Sequence, residues 1–296
     1  MGKLTESAER SGARGQSESG PTVRALTIED QPQLYALLDQ HPINGVFIQG
    51  HLAERPTFFS SPHGPSIIGR FHGQHLVDVC WLGANAVPLD AQDSGELWAR
   101  YANRNNFRPV SIFGPQRSAL AMWQHYQSSK EPFAIRENQP LLATSTPPKN
   151  TTPHPDLRQA TRADLPQLFP AAVAMFTEEV GYSPVANGSR SYEERIADRI
   201  DRGYSYLLRD PETQDVIFKA ELGNVSAQVA QINGVWVAPQ HRGAGIAQRC
   251  LTAVVIHALG QVDTVSLYVN HYNTPALGLY RKLGFEQIGT FATILL

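Results

Sequence analysis

The sequence predicts an α/β protein with two tandem copies of one fold, each a mixed sheet flanked by helices. Apolar, β-branched segments alternate with segments whose apolar residues follow helical spacing. Several of these segments recur in the same order in the two halves of the chain. The length of 296 residues is enough for two ordinary cores, and 42% hydrophobic and 18% charged residues are typical of a globular protein.

Two pairs of landmarks define the repeat. VRALT at 23–27 with DQPQL at 30–34 parallels LRQAT and DLPQL, 134 residues later. VSIF at 110–113 parallels VSLY, 155 residues later. Each landmark is a predicted strand followed by a helix. Because the offset between the copies grows from 134 to 155 residues, the second copy holds 21 more residues between its landmarks. The predicted organisation is a disordered tail (1–20), a first domain (21–145), a Pro/Thr-rich linker (146–155) and a second domain (156–296).

The second copy has a complete predicted series of elements. Its predicted strands cover 157–161, 204–210, 216–223, 227–237, 264–270 and 286–295. Its predicted helices cover 162–180, 192–203, 243–259 and 274–283. This order suits a mixed sheet whose fourth and fifth strands splay apart.

A glycine turn, QHRGAG at 240–245, joins the strand AQINGVWV at 230–237 to a helix. Gly243 and Gly245 lack side chains, so a ligand can approach the backbone closely. The first amides of the helix have no intrahelical partner, and the helix dipole favours an anion there. The turn therefore predicts a pyrophosphate site. It matches neither G-x-G-x-x-G nor a P-loop, because the third glycine and the G-K-[ST] sequence are absent.

Two ordered motifs in the second copy resemble those of the GNAT N-acetyltransferase superfamily. The first is Q-x-x-G-x-G entered from a V-x-V-x-P strand, and the second is N-x-x-A-x-x-x-Y-x-x-x-G-F at 273–285. The resemblance is strong over 157–296 and weak over 22–150. The whole plan is similar to actinobacterial proteins in which an inactive GNAT-like half precedes an active one. The resemblance to this superfamily implies that acetyl-CoA is the cofactor and co-substrate.

The resemblance also implies which residues hold the cofactor. The amides of Val235 and Val237 would pair with the pantetheine arm, and the amide near Val235 would face the thioester oxygen. Arg242 and the amides of the turn would hold the phosphates. The full predicted set is Val235, Trp236, Val237, Arg242, Gly243, Ala244, Gly245, Ile246, Ala247, Asn270 and Asn273.

The implied reaction is attack of an amine on a thioester, which needs an acid for sulfur and a base for the ammonium. Tyr280 matches the acid position of the family. The base stays open, because the fourth strand carries no carboxylate. Glu221 on the preceding strand and the neighbouring Glu178 and Glu179 are the candidates, and water alone is a further alternative. Glu178, Glu179 and Tyr182 lie where acceptors enter in this family, so we expect them to bind the acceptor, a small-molecule amine or a protein lysine.

The first copy departs from the pattern at the turn. The segment that matches 237–247 is VPLDAQDSGEL at 87–97. The Arg-Gly-x-Gly turn is missing, and Asp90, Asp93 and Glu96 stand where a pyrophosphate would need amides and positive charge. We therefore expect the first copy to be a degenerate GNAT-like domain that binds no cofactor.

Composition bounds the other possibilities. A net charge of −2 gives no sign of nucleic-acid binding, and no apolar run reaches the roughly 18 residues of a membrane span. Cys80 and Cys250 lie in apolar runs, which favours a reducing, cytoplasmic location. No histidine cluster has metal-site spacing, so we expect no metal. Two alternatives remain open: an acetyl-CoA-binding regulator without turnover, and an acyltransferase for longer acyl-CoA.

Overall fold

A computed structural model describes residues 21–54, 66–186 and 188–296 of the chain. The tail expected to be disordered, 1–20, lies outside these residues. Over the described part, the two copies share one sheet of twelve strands with helices on both faces. The predicted α/β class with a mixed sheet is therefore confirmed, since the sheet contains parallel and antiparallel pairs.

The first copy supplies six strands and four helices among the described residues. Its strands are β1 (Thr22–Ala25), β2 (Ser66–His72), β3 (His75–Leu82), β4 (Asn85–Pro88), β5 (Ser111–Pro115) and β6 (Ala134–Thr144). Its helices are α1 (Gln31–Gln40), α2 (Val46–Glu54), α3 (Gly95–Arg104) and α4 (Gln116–His125).

The second copy supplies the other strands and helices. Its strands are β7 (Arg158–Gln159), β8 (Ser205–Arg209), β9 (Val216–Val225), β10 (Val229–Val237), β11 (Thr264–Tyr268) and β12 (Glu286–Leu295). Its helices are α5 (Leu165–Val180), α6 (Arg190–Asp201), α7 (Ile246–Leu259) and α8 (Thr274–Lys282).

The two copies exchange their last strands. The strand order is β1-β2-β3-β4-β5-β12-β6-β11-β10-β9-β8-β7. Strand β12 of the second copy pairs antiparallel with β5 of the first, and β6 of the first pairs antiparallel with β11 of the second. The two exchanged strands also pair with each other. Each copy is therefore completed by the other, an arrangement that local sequence patterns do not predict.

The repeat is visible in atomic detail where each copy begins. Arg24 donates two hydrogen bonds of 2.6 and 2.7 Å to Asp30, and Arg158 donates two of 2.7 Å to Asp164. In each copy the threonine three residues before the aspartate also donates to it from its backbone and its hydroxyl. The same arrangement of hydrogen bonds therefore lies directly before α1 and before α5.

Strand residues alternate between the two faces of the second copy. Phe218, Ala220 and Leu222 of β9 belong to the core beneath α7 and α8. Helices α5 and α6 pack on the opposite face, around Leu168 and Ile196. The two cysteines are buried and unpaired.

Some predicted boundaries change. The helix expected over 243–259 begins at Ile246, because Gly243 and Gly245 adopt left-handed backbone with φ of 80° and 75°. The strand expected over 157–161 shortens to β7, since a 3-10 turn starts at Arg162. No helix in the described ranges is long and apolar enough to cross a membrane.

Candidate active site

A splay between β10 and β11 opens the sheet of the second copy. The two strands pair in parallel only from Val229 with Thr264 to Gln231 with Ser266. Beyond this point β10 stays paired on its other edge with β9, through a register shift between Asn233 and Trp236. Gly234, with φ of 57°, lies inside this bulge. The last residues of β10 thus present one backbone edge to open space.

The glycine turn lies at the end of this open edge. A Cβ placed on Gly243 or Gly245 would meet no atom within 4 Å, and the same is true of Gly278 on α8. Gly245 is the N-cap residue of α7, so the first amides of the helix, from Ile246 and Ala247, point away from it without intrahelical partners. The space above the turn is therefore open and favourable to an anion.

The corresponding place in the first copy is filled. Gly95 matches Gly245, and a Cβ on it would lie 2.6 Å from the Ala121 Cβ and 2.7 Å from the Ser118 carbonyl oxygen. The Asp90 carboxylate accepts hydrogen bonds from Arg117 at 2.9 and 3.1 Å and from the Ser118 hydroxyl at 2.5 Å. Helix α4 therefore packs against the start of α3 and leaves no slot there.

Tyr280, the predicted acid, is a buried residue of α8 with 7% of its surface exposed. Burial raises the pKa of its phenol above the ordinary value, and the negative charge of Glu179 raises it further. Its hydroxyl has no hydrogen-bond partner among the described residues. The phenol is therefore protonated at neutral pH and has its proton available to a ligand.

Glu178 joins the end of α5 to the glycine turn. Its carboxylate accepts hydrogen bonds of 2.7 and 2.8 Å from the two Nη atoms of Arg242, and one of 3.2 Å from Trp236 Nε1. The Arg242 guanidinium lowers the pKa of Glu178. Arg242 Nε donates to the Val237 carbonyl at 2.9 Å. Two of the five N–H groups of Arg242 remain for a further acceptor.

Glu179 lines a cavity of about 580 Å³ beside the splay. The walls are the start of β6, the end of α5 and the loop after β11: Ala134, Ile135, Arg136, Glu137, Asn138, Glu178, Glu179, Val180, Gly181, Asn270, His271 and Tyr272. Tyr182, predicted to bind the acceptor, packs its ring against Phe133 with centroids 5.4 Å apart. Because Ala134 to Asn138 lie on β6, the first copy supplies one wall of the cavity.

Glu221, the other predicted base, is already paired. The fully buried Lys219 places its Nζ 2.5 Å from Glu221 Oε1 and donates to the Gly234 carbonyl at 3.2 Å. A proton accepted by Glu221 would leave the lysine charge buried without its partner, which is costly. The sequence did not point to Lys219. The alternation of residues along β9 does not show whether a lysine is exposed to solvent or buried in an ion pair.

Asn270 and Asn273, both predicted to contact the cofactor, form hydrogen bonds with other residues of the chain. Asn270 Oδ1 accepts a hydrogen bond of 3.0 Å from Gln139, and Gln139 Oε1 accepts one of 2.7 Å from Thr293. Asn273 Oδ1 accepts one of 3.3 Å from the Ala276 amide and caps α8. Their predicted contact with a cofactor stays a prediction. Among the described residues, no group of three or more His, Cys, Asp or Glu could hold a metal ion.

Two family models match parts of the chain. The model of the GNAT acetyltransferase family matches residues 172–285, and a domain of unknown function (DUF4081) matches residues 65–168. No curated protein matches the chain.

Solved structures match the chain across both copies. A GNAT-family acetyltransferase from Colwellia psychrerythraea is 17% identical with a TM-score of 0.57, covering 92% of this chain and 98% of that one. A GCN5-related N-acetyltransferase from Sphaerobacter thermophilus is 16% identical with a TM-score of 0.59, covering 93% and 94%. A tandem GNAT protein from the clavulanic acid biosynthesis pathway is 13% identical with a TM-score of 0.55, covering 92% and 98%. Residues 172–285 therefore match a GNAT acetyltransferase domain, in a chain that has the fold of a tandem GNAT protein.

Proposed function

We propose that the chain is an N-acetyltransferase that moves an acetyl group from acetyl-CoA to a primary amine by direct transfer in the second copy. The observation that carries this proposal is the open slot along β10. It combines an unpaired strand edge, a glycine turn with free space above it, and α8, the helix that bears Tyr280. In the first copy, the described residues fill the corresponding place at Gly95.

The residues present fit acetyl-CoA. The amides from Gly243 to Ala247 suit the pyrophosphate, and the two unused N–H groups of Arg242 lie beside the same turn. Val235, Trp236 and Val237 form the strand edge that suits the pantetheine arm. Asn270, in the loop after β11, and Asn273, at the start of α8, would contact the cofactor from across the splay. The bound cofactor would supply an acyl group activated as a thioester.

The chain supplies the proton transfers. The amide near Val235 stabilises negative charge on the carbonyl oxygen when the amine attacks. Tyr280 donates its proton toward the departing sulfur, a role that its protonated state allows. Glu179, which borders the cavity and acts electrostatically on Tyr280, accepts the ammonium proton directly or through water. Glu178 lines the same cavity, and Tyr182 directly follows Gly181 of its wall, so both would contact the acceptor as it enters.

A thiol-release assay tests the proposal. The full chain is mixed with acetyl-CoA and a panel of primary amines and lysine peptides, and free CoA thiol is measured. We expect release that depends on the amine, with one acetyl-CoA site per chain by calorimetry. Propionyl-, butyryl- and octanoyl-CoA test the alternative of a longer acyl donor. Two equivalent sites, or no acetyl-CoA binding, would overturn the proposal.

A second candidate is an acetyl-CoA-binding regulator without turnover. It is favoured by one observation: Glu178 and Glu221 are held in close ion pairs with Arg242 and Lys219, and Glu179 lies 3.9 Å from Arg136. Binding with no thiol release for any acceptor would support this candidate and exclude catalysis.

A further inference from the structure

Arg136 is a residue of the first copy that lines the cavity of the second copy. It lies on β6, the exchanged strand, opposite Thr293 of β12. Only 14% of its side chain is exposed. The exchange therefore carries a largely buried positive charge into the acceptor cavity.

This charge is poorly compensated by the chain. Arg136 Nη2 donates to the Glu179 carbonyl at 2.7 Å, and Nη1 lies 3.9 Å from Glu179 Oε1, at the edge of ion-pair distance. The Glu179 side chain is 54% exposed, so much of its charge is screened by water. A guanidinium has five N–H donors, and a largely buried one normally has an anion bound through two of them.

Glu179 and Arg136 thus form a loose pair of opposite charges on the wall of one cavity. A ligand that carries an ammonium and a carboxylate can replace this weak contact with one contact to each residue. Glu178 does not compete for the ammonium, because Arg242 already neutralises it. The volume of about 580 Å³ lies within the range of small-molecule pockets.

We propose that the acetyl acceptor is an amino carboxylate, with its amine at Glu179 and its carboxylate held by Arg136. This inference rests on the proposed function and narrows its acceptor class. Arg136 is then a specificity-determining residue that the first copy contributes to the reaction of the second. The shared chemistry fits a free amino acid or the carboxyl end of a short peptide.

The first test uses the wild-type chain. Acceptors of the form ⁺H₃N–(CH₂)n–COO⁻, α-amino acids and dipeptides are each compared with their carboxamides. Chains with n of about three or more keep the amine basicity of each pair similar. We expect kcat/KM for the best carboxylate to exceed that for its carboxamide by about 10- to 100-fold, the effect of a charged hydrogen-bonded pair. Equal values for all pairs would overturn the inference.

The second test uses Arg136→Gln and Arg136→Lys, with Arg100→Gln as the matched control. Arg100 is an exposed arginine of α3 in the first copy, and its ion pair is with Glu96 of the same helix. Arg136→Gln should raise KM for the carboxylate and bring the ratio of kcat/KM for carboxylate and carboxamide close to one. Arg136→Lys should leave an intermediate ratio, because lysine keeps the charge but cannot donate two parallel hydrogen bonds to a carboxylate. The control should retain the wild-type preference, and thermal unfolding checks that each variant is folded.

A binding readout separates this inference from the proposed function. Calorimetry with acetyl-CoA measures the cofactor site, and calorimetry with the best amino carboxylate and its carboxamide measures the cavity. Carboxylate binding that Arg136→Gln removes supports the inference even if no thiol is released. Turnover of amines without any effect of the carboxylate or of Arg136 would overturn the inference and leave the acetyltransferase standing.

Discussion

Gly245→Ala should separate the cofactor site from the fold. The residue has φ of 75°, and its new Cβ would meet no atom within 4 Å. The cost in stability is therefore only the left-handed backbone strain, about 1–2 kcal/mol. In the complex the methyl group would occupy the approach to the phosphates and remove one or two charge-assisted hydrogen bonds. That loss corresponds to an affinity for acetyl-CoA lower by about 10- to 100-fold.

Two other glycines provide matched controls. Gly73, in the turn between β2 and β3, has φ of 61° and equally open surroundings, so Gly73→Ala should cost similar stability without changing acetyl-CoA affinity. Gly95→Ala places a Cβ 2.6 Å from the Ala121 Cβ in the filled place of the first copy. It should lose about 1–3 kcal/mol by overpacking and still bind acetyl-CoA normally.

Calorimetry gives the affinity of each variant, and urea unfolding gives its stability. If Gly245→Ala and Gly73→Ala bound acetyl-CoA within twofold of each other, the phosphates would not lie at the turn. If Gly95→Ala weakened binding as Gly245→Ala does, the assignment of one open and one filled place would be refuted.

Three further outcomes are expected. Tyr280→Phe should lower kcat by about 10²–10⁴-fold with little change in acetyl-CoA affinity or thermal midpoint, and equal loss of affinity would indicate a packing role. The bond to Arg24 lowers the pKa of Asp30 to about 2, so its stabilisation is complete above the ordinary carboxyl pKa and is lost as pH falls from about 4 to about 2. Urea unfolding across that range should show a smaller acid loss for Asp30→Asn than for wild type. Residues 151–296 alone lack β6 and should elute as aggregate on gel filtration, whereas co-expression with residues 1–150 should restore the folded chain.

Local patterns predicted the elements that carry the proposed cofactor site. Strand alternation, helical spacing and the glycine turn each depend on a few neighbouring residues, so β10, α7 and α8 are found within three residues of their predicted positions. The repeat could also be predicted. Each copy keeps the same short-range pair, Arg24 with Asp30 and Arg158 with Asp164. These features need no knowledge of which strand pairs with which.

The acceptor side could not be predicted in this way. Strand β6 has the same apolar pattern whether it closes its own copy or the other one, and pairing partners 120 or more residues apart leave no local signal. Nothing in the local sequence therefore marks Arg136 as a residue of the cavity in the second copy. The pairing of Lys219 with Glu221 was hidden for a related reason, since burial of a lysine depends on the helix packed above it.

The exchange gives the first copy a structural part in the second, although its own turn is filled. Strand β6 lies between β11 and β12, and its residues Leu141 and Leu142 are buried there. Its removal would leave both neighbours with unpaired backbone groups inside the sheet, which is costly. The carboxylate of Asp90 accepts its hydrogen bonds from Arg117 and Ser118 of its own copy. Substitutions at residues 90–96 should therefore alter stability alone, whereas substitutions at the start of β6 should alter the choice of acceptor in the other copy. A deep mutational scan read out separately for abundance and for acetyl transfer would show this division, and activity losses concentrated at residues 90–96 in well-expressed variants would contradict it.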